Sequence, residues 1–115
     1  MKKILVIFIS FLLFASCTTQ KPLYSWGNYE KTSYNYLKNT DENSIQELIE
    51  NYQTIIEDQE KGTRGTIPPG VCADYGFLLI QEGKTKEGKE MLMKEIVLYP
   101  ESKIVIDRIL KIIEE

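Results

Sequence analysis

The chain has 115 residues, room for one small domain. Apolar residues make up 43% of it and charged residues 27%, a globular balance rather than a disordered one. Its 14 Lys and Arg against 17 Asp and Glu give a net charge of −3, which excludes the basic stripe of a nucleic-acid binder, and the lack of any His removes the commonest general base and metal ligand.

Met1-Lys2-Lys3 is a short basic start, and Ile4 to Phe14 is an apolar run broken only by Ser10. As a helix this run reaches about 17 Å, short of the ~30 Å hydrocarbon core of a bilayer. It therefore predicts a signal-peptide core rather than a membrane span. Ala15-Ser16-Cys17 follows, a pattern that resembles a bacterial lipobox, with Phe14 where Leu is usual. The resemblance implies cleavage before Cys17 and diacylglycerol and palmitate on that residue. Ordinary cleavage after Ser16, giving a soluble secreted protein, is the alternative. Thr18 replaces the Asp that retains such lipoproteins at an inner membrane, which implies an outer-membrane anchor facing the periplasm. Once Cys17 is acylated, Cys72 has no intrachain partner and reads as a small buried hydrophobe. The expected organisation is a signal peptide over 1–16, a lipidated tether over 17–25 and a helical repeat-like domain over 26–115.

Trp26 to Lys38 predicts a weak helix whose bulky residues are Tyr29, Tyr34, Tyr36 and Leu37. Ser44-Ile45-Gln46-Glu47 fits a capping box. Behind it Ile45, Leu48, Ile49, Tyr52, Ile55 and Ile56 keep the 3.6-residue period, which predicts the clearest helix of the chain, over by Gly62. Lys61 to Gly70 holds three Gly and two Pro and reads as a loop, with Pro69 placed to open the next helix. Val71, Tyr75, Leu78 and Leu79 mark that helix, and Gly83 closes it with a left-handed residue. Thr85 is the expected cap of a helix striped by Gly88, Leu92, Ile96 and Tyr99, which Pro100 stops. Ser102 is the expected cap of a last helix carrying Val105, Ile106, Ile109, Ile112 and Ile113. No segment alternates long enough to argue a strand. The predicted fold is all-α, antiparallel helix pairs, about five helices.

Gly76, Leu79, Gly88, Leu92 and Pro100 sit at offsets 0, 3, 12, 16 and 24, which resembles a tetratricopeptide repeat. Gly88 and Glu95 stand where that repeat usually has Ala. Small residues at these places let two helices cross closely, so Gly76 and Gly88 are expected at a crossing. The last helix is expected to cover the open end of the stack.

Four stretches carry a wider resemblance: Tyr24-Ser25-Trp26-Gly27-Asn28-Tyr29, Pro68 to Leu78, Leu98-Tyr99-Pro100-Glu101-Ser102 and Asp107-Arg108-Ile109-Leu110. In order and spacing they resemble a family of small bacterial lipoproteins known as domain of unknown function family 4810. Cys72 stands where that family often has His, and Val71 where it has Leu, so no role of that His carries over. The resemblance implies neighbouring envelope lipoproteins as partners, among them a curli-type secretion-channel lipoprotein. It implies no activity.

The candidate partner-binding residues are Trp26, Tyr29 and Arg64, because interfaces favour Trp, Tyr and Arg. The same aromatics are also candidates for the core of the first helix pair. Glu47, Glu50, Glu57, Asp58 and Glu60 read as a solvated helix face rather than a calcium site. Glu95 falls in an apolar stripe and needs a partner, with Arg108 or a Tyr hydroxyl as candidates. No nucleophile elbow or paired-carboxylate motif is present, so the expected function is a non-catalytic interaction or scaffold module without cofactor or metal. A glycan- or small-molecule-binding lipoprotein and a cell-envelope enzyme are the alternatives.

Overall fold

The computed structural model describes residues 1–14 and 20–115. Among the described residues there are six α-helices and no strand. The first, α1 (Lys2–Phe14), holds the apolar run that follows Met1. Among the described residues no helix is long and apolar enough to cross a membrane. The others are α2 (Tyr29–Asn39), α3 (Glu42–Glu57), α4 (Val71–Gln81), α5 (Thr85–Leu98) and α6 (Lys103–Glu114). From α2 onward each helix packs on the next in sequence, so the five predicted helices form successive packed pairs.

The core lies between α3 and α4. Leu48, Ile49, Tyr52 and Ile55 of α3 meet Val71, Cys72, Tyr75, Leu78 and Leu79 of α4, with Ile67 of the intervening loop among them. Each such side chain contributes about 1.5–3 kcal/mol through its burial. Cys72 is completely enclosed here, a small hydrophobe as its neighbours in sequence imply. Leu92 of α5 and Ile106 of α6 are buried beyond it.

The tightest contact is the crossing of α4 and α5. A methyl group built on Gly76 would lie 2.6 Å from the Gly88 carbonyl oxygen, and one on Gly88 would lie 2.5 Å from the Gly76 carbonyl oxygen. Only glycine lets the two backbones approach this closely. The crossing expected from the spacing of these residues is therefore present. Gly83, at φ +84°, reverses the chain after α4 as predicted.

Several helix ends differ from expectation. The cap of α3 is Asp41, three residues before Ser44. The Ser44 N–H donates to Asp41 Oδ1 at 2.7 Å, and the Asp41 N–H donates to Ser44 Oγ at 3.1 Å. The capping box is reciprocal as expected, but Ser44 is its inner member and Glu47 instead accepts from Asn43 on the exposed face. These bonds hold the Asp41 carboxyl below its ordinary range. Pro69 does not open α4. Gly70 intervenes as its N-cap at φ +89°, a conformation that proline cannot adopt. Neither Thr85 nor Ser102 caps by its side chain: Thr85 already lies inside α5, and the Ser102 hydroxyl donates back to the Tyr99 carbonyl at 2.7 Å.

The last helix also differs. Only Ile106 of α6 is buried, while Val105 and Ile112 are exposed. The apolar stripe of α6 is wider than the strip α5 can cover, so the helix closes the end of the stack with one edge of its apolar face still bare.

Candidate functional site

The structure brings Trp26, Tyr29 and Arg64 to one end of the helical domain, with Tyr24 between them. The Arg64 guanidinium lies over the Tyr24 ring at 5.9 Å. Tyr24 meets Trp26 edge-on at 6.5 Å, and Trp26 tilts against Tyr29 at 5.4 Å. The series continues inward through Tyr52 to Tyr75 at 6.0 and 5.5 Å. It therefore runs from solvent to core. Trp26 is 41% exposed, Tyr29 is half-buried against the core and Tyr52 is 4% exposed. Burial, with the Asp74 carboxylate second, drives the Tyr52 hydroxyl pKa far up, so this phenol stays neutral.

Backbone contacts fix the outer end of this series. The Thr63 N–H donates to the Pro22 carbonyl at 2.9 Å, and the Arg64 N–H to the Leu23 carbonyl at 3.0 Å. Gly62 makes the approach possible: a methyl group there would fall 2.6 Å from the Leu23 carbonyl oxygen and 2.7 Å from the Tyr24 Cα. Asn51 of α3 holds the next turn, its Oδ1 accepting from the Asn28 N–H at 2.8 Å. The segment over 22–25, expected as part of a tether, thus carries backbone contacts to the loop after α3. Cys17, the expected lipidation site, lies outside the described residues.

A second feature lies between α4, the end of α5 and α6. It is an open cleft of about 760 Å³, walled by Asp74 and Phe77, by Glu95, and by Glu101, Val105 and Ile109. Glu95 is 2% exposed. Its Oε1 accepts from the Gly70 N–H at 2.8 Å, while its Oε2 is buried without a hydrogen-bond partner. The partner of Glu95 is therefore a backbone amide, neither Arg108 nor a Tyr hydroxyl. Gly70 ends the loop in a left-handed turn whose N–H is aimed at α5, and the carboxylate meets it there. The Tyr99 hydroxyl is engaged elsewhere, donating to the Ile67 carbonyl at 2.6 Å. Burial, then the nearby Tyr24 hydroxyl, pushes the Tyr99 pKa up to about 12. Tyr99 thus stands between the aromatic end and the cleft.

Sequence reasoning placed Glu95 as a residue in need of a partner but missed the cleft. The available signal was Phe77, which falls outside the stripe of Val71, Tyr75, Leu78 and Leu79 and is 46% exposed. The acidic residues of α3 lie along its solvent side. There Glu50 accepts from Gln46 at 3.0 Å, and just past the helix its C-cap Asp58 pairs with Lys61 at 2.8 Å. Among the described residues no group of carboxylates and cysteines is arranged to hold a metal ion.

The sequence pattern of a family described as a domain of unknown function (DUF4810) matches residues 23–109. The chain belongs to that family. The DUF4810 match begins at Leu23, one residue after the backbone first pairs with the loop after α3, and it includes the aromatic end, the Gly76–Gly88 crossing and the cleft. No curated protein and no solved structure matches the chain.

Proposed function

We propose that this DUF4810 chain is a lipid-anchored, non-catalytic interaction module on the periplasmic face of an outer membrane. It acts as a scaffold in an assembly of envelope lipoproteins that includes a curli-type secretion channel. The observation that carries this reading is the surface of Tyr24, Trp26 and Arg64, in which Tyr24 and Trp26 follow closely on Cys17 in sequence and Arg64 is brought to them by the fold. Trp, Tyr and Arg are the residues that interfaces concentrate. Here they rest on a backbone already fixed by Gly62, Thr63 and Asn51, so little ordering cost is left for binding. Pro22 lies five positions after Cys17, a reach of at most roughly 18 Å. An acylated Cys17 would therefore keep this surface beside the bilayer, within reach of other membrane-anchored lipoproteins.

The reading is tested by crosslinking in intact cells, followed by recovery of the protein and mass spectrometry of what comes with it. Wild-type protein should recover the channel lipoprotein, and Trp26→Ala or Arg64→Ala should recover several-fold less at equal abundance. Equal recovery by both variants would move the interface elsewhere. Recovery of no envelope lipoprotein by the wild type would refute the scaffold role. Cys17→Ser should abolish labelling by a fatty-acid analogue and leave an uncleaved precursor.

A further inference from the structure

The cleft between α4, α5 and α6 pairs two features that a closed helical stack does not need. One is apolar surface left bare: Phe77 is 46% exposed and Val105 60% exposed, although both sit on helices with a core to cover. The other is negative charge without a counterion. Asp74, Glu95 and Glu101 all line the cleft. The ion pairs among the described residues join Lys61 to Asp58, Lys89 to Glu114 and Lys103 to Asp107, so none reaches these three. Glu95 is the decisive member. A carboxylate that is almost wholly buried normally fills its acceptor capacity, because an unpaired buried oxygen loses its hydration for nothing. Glu95 satisfies one oxygen with the Gly70 amide and leaves the other without a partner. Its charge is felt across the cleft: after burial itself, it is what raises the Asp74 carboxyl above its ordinary range.

We propose that this cleft is a binding site for a protein segment that presents a lysine or arginine between apolar side chains. The cation would neutralise Glu95, with Asp74 and Glu101 at its flanks, and the neighbouring apolar groups would lie on Phe77, Val105 and Ile109. Charge complementarity selects this occupant. An uncharged apolar helix would bury three carboxylates without a counterion, and an anionic ligand would be repelled by all three. The site is separate from the Trp26–Arg64 surface and does not depend on it.

The test uses the full chain in detergent micelles with labelled Ile and Val methyl groups. The probe is the peptide acetyl-Leu-Lys-Leu-Leu-amide, and its control carries Gln in place of Lys. The lysine peptide should shift the Val105 and Ile109 methyl signals and bind at least tenfold more tightly than the glutamine peptide. Glu95→Gln keeps an oxygen for the Gly70 amide. It should erase that tenfold preference while melting no lower than the wild type. Equal affinity for the two peptides, signal changes only outside the cleft, or a preference that survives Glu95→Gln would each overturn the proposal. So would a clear fall in melting temperature for Glu95→Gln, since the carboxylate would then be serving the fold rather than a ligand.

Discussion

Replacing Gly76 by Ala adds a single methyl group at the point where α4 and α5 cross. That methyl would lie 2.6 Å from the Gly88 carbonyl oxygen and 3.1 Å from Leu92 Cγ, against the 3.4 Å at which ordinary contact begins. The nearest atom is backbone, so no side-chain rotation relieves it, and the helices must part by about 0.8 Å, the gap between those two distances. A gap of 0.5–1 Å forfeits roughly a quarter to a half of each dispersion contact across it. Leu92 is completely buried at this crossing. A buried Leu makes some 40–60 contacts of about 0.1–0.2 kcal/mol each, so a quarter of them is about 2 kcal/mol. Replacing a helical Gly by Ala returns about 1 kcal/mol. With Leu78 and Leu79 also loosened, the net loss should be about 1–3 kcal/mol, the range of overpacked cores. That corresponds to a fall of roughly 4–8 °C in melting temperature per kcal/mol for a domain of this size. Gly88→Ala should behave alike, because its methyl meets the Gly76 carbonyl and Ile80 Cγ1, both at 2.5 Å. Once one methyl has parted the helices, the second finds part of its space open. The double variant should therefore cost less than the sum of the singles by about 1 kcal/mol or more, as residues in contact do. Thermal and urea unfolding followed by circular dichroism measure all four proteins. Either single variant melting at or above the wild type would refute the close crossing, and strictly additive losses would refute the shared contact.

Gly62→Ala should push Pro22–Tyr24 off the loop, because the new methyl meets only backbone there. Hydrogen exchange at the Thr63 and Arg64 amides should then speed up at least tenfold, and unchanged protection would contradict the fit described. Tyr99→Phe leaves the Ile67 carbonyl without its donor and should cost about 1–3 kcal/mol in urea unfolding. Burial, and second the charge of Glu95, pushes the Cys72 thiol up to about 11 from its ordinary 9.0. At pH 8 only about one thiol in a thousand is then ionised, so iodoacetamide should label the folded protein at least a hundredfold more slowly than the urea-unfolded chain. The same displacement makes a stability contribution that is full below pH 9 and lost as pH rises towards 11, since the unfolded thiol releases its proton first. Cys72→Ala should flatten that alkaline loss, measured by urea unfolding at a series of pH values.

The helices themselves were legible in the sequence because local rules govern them. The period of Ile45 to Ile56, the Gly83 turn and the Pro100 stop need only neighbours along the chain. The Gly76–Gly88 crossing was legible for a related reason: two small residues on facing helices with a short turn between them have few other uses. The capping errors were local competitions decided by a few ångströms. Asp41 and Ser44 can both begin a box, and the extended backbone at Asp41 selected the earlier start. What the tertiary structure alone decided was where each leftover group points. Spacing could mark Glu95 as unusual, but the turn at Gly70, 25 residues earlier, supplied its partner. Aromatic content could nominate Trp26, Tyr29 and Arg64. Only the pairing of Pro22 and Leu23 with Thr63 and Arg64 set Tyr24 between the ring and the guanidinium. The apolar residues of α6 are alike in sequence. Which of them is buried depends on how much width α5 offers, a property of the packed surface that no single helix carries in its own pattern.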